Sequence, residues 1–357
     1  MKKLVMGLAG AATLALAMAG SAQAADKTKV CFMHVGPITD GGWTQAHHQG
    51  MEEMAAHFGD KVETAYVENV PEGPQATAVI ERLARQKCAL IFTTSFGFMD
   101  PTLEVAAKFP DVKFEHATGY KTAANVTSYN SRFYEGRYIL GQIAAKVSKT
   151  VVAGYIASFP IPEVVQGINS FVLGAQTVNP DFKLKVVWVN TWHDAGKEAD
   201  AAKVLIDQGV DILTQHTDST APIQVASERG VYAFGQALDM IEAGPETQLT
   251  AIIDSWGAYY TKRVQAVMDG TWESQSTWDG LVDGILTMAP YTNMPDDVKA
   301  MAEATEAAII AGELHPFTGP INKQDGTPWL ADGEVAEDGP LLGMNFYVEG
   351  VDDQLPQ

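Results

Sequence analysis

Short apolar runs alternate along this chain with longer segments in which apolar residues recur every three or four positions. "KVCFMHVG" reads as a buried strand, and Ala46, Gly50, Met51, Met54, Ala55 and Phe58 follow it at helical spacing. "KVETAYVENV" is a second strand, Ala76, Val79, Ile80, Leu83 and Ala84 mark the next helix, and "CALIFTTS" is a third strand. "MDPTLEVAAKFP" and "VKFEHAT" add a helix and a strand. This βαβ repetition predicts a parallel, doubly wound sheet.

The rhythm then restarts. "NVTSYNSRF" reads as a crossing strand, followed by the helix "YEGRYILGQIAAKVS", the strand "VVAGYIAS", the helix "PEVVQGINSFVLGAQTV", the strand "KLKVVWVN", the helix "KEADAAKVLIDQG" and the strand "DILTQHT". "YAFGQ" and "LTAIIDSW" follow, with no Pro/Gly/Ser-rich linker between the halves. Two α/β lobes are therefore expected in one chain. "LVDGILTMAP" and "PDDVKAMAEATEAAIIAGEL" must join sheets already begun, so the chain is expected to cross between lobes more than once. The expected division is a leader at 1–24, lobe 1 at 25–131 plus about 256–283, lobe 2 at 132–255 plus about 284–340, and a tail at 341–357.

The first residues change the picture of where the protein works. Lys2 and Lys3, an uncharged Ala/Leu/Met run and Ala22-Gln23-Ala24 fit a secretory signal peptide cleaved after Ala24, which predicts a periplasmic protein. The run is short for a membrane span, and no cysteine stands at the cleavage site to carry a lipid anchor. Losing two lysines with the leader takes the formal net charge from −20 to about −22. Such a field repels nucleic acid and anionic membrane and disfavours a highly phosphorylated ligand. Cys31 and Cys88 each sit in an apolar run; a disulfide between neighbouring strands and two buried small hydrophobes are both open readings.

In open α/β sheets, ligands bind beyond the carboxyl ends of the strands, and two facing lobes place those ends around one cleft. The first strand ends in "GPITDGGW", which brings Asp40, Gly41, Gly42, Trp43 and Thr44 to that edge. GxxxxGK[ST] is absent, so this is not read as a phosphate loop; its glycines are expected to let the backbone approach a ligand. Phe96 and Phe98 flank Gly97 after the third strand, and Asn130 ends the crossing strand. In the second half Trp192 and Asp194, then Asp218, then Gln236 and Asp239, then Asp254 and Trp256 follow successive strands. A tryptophan at a strand end of each lobe suggests a flat ligand held between indoles. Asp, Asn and Gln can match the donors and acceptors on the edge of a heterocycle, and a sugar would also suit them. Arginine is scarce at these positions, which disfavours a carboxylate or phosphate ligand.

Catalysis has no candidate. The pair His47-His48 faces different directions on a helix, and His34, His193 and His216 read as isolated. HExxH and GxSxG are absent, so no catalytic residue, metal or cofactor is expected.

The order of motifs resembles the basic membrane protein family, the substrate-binding components of purine-nucleoside ABC importers. The stretches that carry this are "TDGGWTQAHHQGM", "SFGFMDPTLEVAAKFPDVKF", "NVTSYNSRFYEGRYILGQIAAKV", "INSFVLGAQTVNPDFKLKV", "LIDQGVDILTQHTDS" and "PFTGPINKQDG". The resemblance implies a type I periplasmic-binding fold with three crossovers, a monomer that closes on a purine compound and delivers it to a membrane permease driven by a cytoplasmic ATPase. The family's early Asp-x-Ser-Phe-Asn pattern falls on Asp40, Gly41, Gly42, Trp43 and Thr44, which makes Trp43 the stacking aromatic. Its second aromatic falls on Trp192, with Asp194. Where the family reads Gly-Val-Asp-x-Asp-Gln, this chain has Gly235-Gln236-Ala237-Leu238-Asp239-Met240, and Ala258 replaces a family lysine after Asp254-Ser255-Trp256. These losses fall on the ribose side, so the expected ligand is a free purine base such as adenine, guanine, hypoxanthine or xanthine. A nucleoside in a rearranged pocket is the alternative, and a sensory receptor or a sugar-binding protein stands behind both.

Overall fold

The computed structural model describes residues 27–356, and the leader read at 1–24 lies outside them. In the first lobe the strands β1 (Thr28–His34), β2 (Val62–Val67), β3 (Leu90–Thr94), β4 (Lys113–Ala117) and β5 (Val126–Ser131) are interleaved with the helices α1 (Trp43–Phe58), α2 (Pro74–Arg85) and α3 (Met99–Ala106). The second lobe runs α4 (Phe133–Val147), β6 (Val152–Ala157), α5 (Pro162–Val178), β7 (Lys183–Trp188), α6 (Ala195–Asp207), β8 (Ile212–His216), α7 (Ala221–Arg229), β9 (Tyr232–Ala237) and β10 (Gln248–Asp254). The chain then supplies α8 (Gly257–Met268), β11 (Thr277–Asp279), β12 (Leu286–Met288) and α9 (Asp296–Ile310).

Two six-stranded sheets result, in the orders β11-β5-β4-β3-β1-β2 and β12-β10-β9-β8-β6-β7. The first pairs in parallel throughout, with Thr277 opposite Tyr129 where β11 joins β5. The second is parallel except for its edge strand β12, which runs antiparallel to β10. The chain thus passes between sheets three times, after β5, after β10 and after β11. The passing segments are tied together: Arg132 N–H donates to Asp279 O at 2.8 Å, and Ser255 N–H donates to Ile285 O at 2.8 Å.

Burial on both faces explains the apolar run "VCFM" of β1 and the wholly buried "LIFTT" of β3, whose two threonines are shut away with it. One large core joins α1, α4, α5 and α8 to the facing sides of both sheets. A smaller core lies under α2 and α3 and another under α6 and α7. Cys31 on β1 and Cys88 just before β3 form a disulfide in the first of these smaller cores, with their Cα atoms 5.8 Å apart. The bond selects between the two readings left open by sequence. Closing so long a loop restricts the unfolded chain by about 4 kcal/mol in the chain-entropy picture. Among the described residues no helix is long and apolar enough to cross a membrane.

Candidate functional site

The carboxyl ends of the two sheets meet around a cavity lined by Trp43, Ser95, Phe96 and Thr118 from the first lobe and Glu163, Trp192, His216, Asp218 and Gln236 from the second. Its free volume is about 20 Å³, room for one or two waters, so a larger ligand requires the two lobes to move apart.

Trp43 is the first residue of α1, and its position is fixed at both ends. The Asp40 carboxylate accepts from the N–H groups of Gly42 (2.9 Å), Thr44 (2.8 Å) and Gln45 (3.0 Å), satisfying donors that the helix start leaves free. The indole N–H donates to Thr94 O at the end of β3, at 2.8 Å. His47, Trp256 and Phe133 meet the ring edge-on, with centroids 4.3, 5.6 and 6.1 Å away. Trp43 also contributes to the cavity lining. Trp192, in the loop after β7, leans on Phe159 with centroids 5.1 Å apart. Its backbone carbonyl accepts from Asp218 N–H at 3.1 Å, while its buried indole N–H has no partner.

The glycines before Trp43 serve the lobes rather than a ligand. Gly42 lies so close to the other lobe that a Cβ there would stand 2.7 Å from Asp218 O and 2.8 Å from Asp218 Cα. Gly41, at φ +89°, supplies the left-handed turn that makes this approach.

The polar wall is densely acidic. Burial raises the Asp218 carboxyl well above its ordinary range, and Asp40, Glu198 and Asp254 add to the shift. Asp254, singled out by sequence, lies at the end of β10 outside the lining; its carboxyl is raised for the same reason and has neither oxygen paired, although Arg137 opposes the shift. Arg137 rises from α4 behind this wall, fully buried; it donates to Thr214 Oγ1 at 3.0 Å and to Gln236 Oε1. With its oxygen engaged, Gln236 has its amide N–H groups left as donors. His216 Nε2 lies 3.3 Å from Glu163 Oε1, and burial lowers the imidazole's pKa, leaving it neutral.

Of the residues singled out by sequence, Trp43, Phe96, Trp192, Asp218 and Gln236 come together at the cavity. The others have different work. Asp40 caps α1, and Asp194 caps α6 by accepting from Lys197 N–H at 3.0 Å. Thr44 Oγ1 accepts from Gly36 N–H at 3.2 Å, and Phe98 is packed in the core under α2 and α3. Asn130 Oδ1 accepts from Ser131 N–H at 2.8 Å, outside the lining. Asp239 is exposed and accepts from Gln248 Nε2 at 2.6 Å. Trp256 is core, stacked on His47 with centroids 4.5 Å apart, one layer behind Trp43. Sequence reasoning passed over Ser95, Thr118 and Glu163 and read His216 as isolated. The signal was there: Glu163 opens α5 just beyond β6, and His216 is the last residue of β8. Arg137 was missed because it reaches the site from within a helix, not from a strand end. Among the described residues no cluster of His, Cys, Asp or Glu is arranged to hold a metal.

The sequence profile of the PnrA-like ABC transporter substrate-binding proteins matches residues 27–315. A purine-binding protein of Brucella abortus (strain 2308) is 66% identical over 340 residues, 95% of this chain and 97% of its own. A protein of Haloferax volcanii described as an ABC transporter glucose-binding protein is 35% identical over 338 residues, 94% of this chain and 83% of its own. The fold recurs in a solute-binding protein of an ABC transporter system from Aeropyrum pernix K1, with a TM-score of 0.71 at 18% identity over 80% of this chain and 92% of that one. Its two parallel sheets with three crossings are those of type I periplasmic-binding proteins, and the chain belongs to the PnrA-like ABC transporter substrate-binding family.

Proposed function

We propose that this protein is the periplasmic receptor of an ABC importer for a purine nucleobase, delivered across the inner membrane by its leader and working as a monomer. The observation that carries the reading is the cavity itself: indoles from opposite lobes, Trp43 and Trp192, line a small space whose polar groups include Asp218, Gln236 and Glu163. Aromatic faces suit a planar ring, and carboxylates beside an amide suit the N–H groups and ring nitrogens at its edge. The likeness to a purine-binding protein supports the same ligand class. Binding that touches both lobes favours the closed form, because only contacts absent from the open form shift that equilibrium. The closed receptor then presents its ligand to the membrane permease, with no chemical step.

A nucleoside is the second reading. Beside Trp192 a wider space of about 370 Å³, whose lining includes Asn69, Glu72, Asn190, Thr191 and His193, could take a ribose. The test is calorimetry on protein stripped of ligand by unfolding and refolding, titrated with purine bases, their nucleosides and glucose. Tight binding of bases with weak or no binding of nucleosides is expected. Preference for nucleosides, or for glucose, would overturn the nucleobase assignment.

A further inference from the structure

Glu163 stands at the start of α5, nine-tenths buried, with its side chain in the cavity wall. One carboxyl oxygen, Oε1, faces His216 Nε2 at 3.3 Å. The other, Oε2, is shut away from water and has no hydrogen-bond partner. Leaving a buried carboxylate oxygen without a donor is costly, and native proteins seldom do it unless something else fills the place. No donor within the protein reaches this oxygen, although Arg137 Nε is itself unpaired. Arg137 gives its terminal nitrogens to Thr214 and Gln236, and His216 Nδ1 lies 3.5 Å from Tyr155 OH.

We propose that Glu163 is a specificity residue: its free Oε2 accepts one N–H of the bound purine, while His216 holds the carboxylate in the orientation that presents it. This rests on the nucleobase reading and sharpens it. Glu163 adjoins His216, which in turn meets Tyr155, and both neighbours are buried; an N–H that donates to Oε2 gives its one hydrogen to the carboxylate. Whichever ring nitrogen faces the carboxylate therefore cannot carry a substituent, neither a methyl group nor a ribose. A base with a hydrogen on that nitrogen fits, and its N-substituted derivative does not.

The experiment is calorimetry of the full-length mature protein and of Glu163→Gln with adenine, hypoxanthine and their singly N-methylated derivatives. Glutamine keeps the volume and replaces the accepting oxygen pair by an amide. The wild type should lose at least tenfold in affinity for the derivative methylated at one nitrogen position and much less for the others. Glu163→Gln should bind the parent bases at least tenfold more weakly, and the penalty for that one methyl group should shrink, which a purely structural role would not produce. Thermal melts of ligand-free protein identify a folding defect; if Glu163→Gln is unstable, His216→Gln, which removes the orienting partner from the same cavity wall, should lower base affinity and shrink the penalty for that one methyl group in the same way. Wild-type binding of bases with no such loss in Glu163→Gln, or with equal penalties for every methyl position, overturns this assignment alone. Absence of base binding by the wild type overturns it together with the nucleobase reading.

Discussion

Replacing Trp192 by Ala separates binding from folding better than any change at Trp43. Trp192 is only partly buried, rests on Phe159, and makes no hydrogen bond through its indole N–H. Trp43 is 9% exposed, anchored to Thr94 O and packed against His47, Phe133 and Trp256. Loss of one stacking face should cost about 1–3 kcal/mol of binding, which is roughly 5- to 150-fold in Kd. Both variants should show it. Stability should part them: truncating a packed Trp43 should cost about 3–5 kcal/mol, whereas Trp192→Ala gives up mainly its contact with Phe159 and leaves no backbone carbonyl without its donor. Calorimetry with the tightest-binding base gives the first quantity, and urea melts of ligand-free protein give the second. Should Trp192→Ala bind within twofold of wild type, the two-indole clamp is wrong; should it melt like Trp43→Ala, the account of what anchors each ring is wrong.

Gly42→Ala tests the contact between lobes. The new Cβ would collide with Asp218 of the other lobe, so ligand affinity should fall at least tenfold while each lobe stays folded. Unchanged affinity would show that the lobes close without this approach. Stability should also fall in acid. Burial lowers His34 and His116 from 6.5 to about 3, so between those values the unfolded chain binds more protons than the folded one, and the stability present above 6.5 is lost as pH falls. At pH 5 this is about 2 kcal/mol per histidine. Asp218 and Asp254 act in the opposite sense: raised carboxyls cost stability as pH rises above 3.8, so they offset part of the loss in acid. Asp218→Asn should therefore lose stability more steeply than wild type between pH 8 and 5 in thermal melts, and parallel curves would refute that assignment.

What could be read from the sequence depended on which physical rule governed each residue. The alternation of apolar runs and helical spacing dictated two parallel sheets, because strands buried on both faces cannot be written any other way. Trp43, Trp192, Asp218 and Gln236 were legible because a strand end in such a sheet faces the cleft. The same rule over-selected at Asp40 and Asp194, since a carboxylate after a strand is also what a helix start needs. Phe96 and Phe98 could not be told apart from sequence: the 3-10 turn over Phe96–Phe98 sends one ring to the cavity and the other into the core. Glu163 and His216 gain meaning only as a pair, and nothing local in either segment announces the partner.

The joining of β11 to β5 has a kinetic side. Tyr129, Asn130 and Ser131 pair with Thr277, Trp278 and Asp279, so the outer edge of the first sheet stays open until nearly the whole second lobe has been synthesised. An N-terminal half that could otherwise have folded by itself is left waiting with an unpaired strand. Pairings between such distant parts of a chain form slowly, because the intervening segment must first be brought to order. The first lobe is therefore unable to reach its final form ahead of the second, and the two should mature as one cooperative unit.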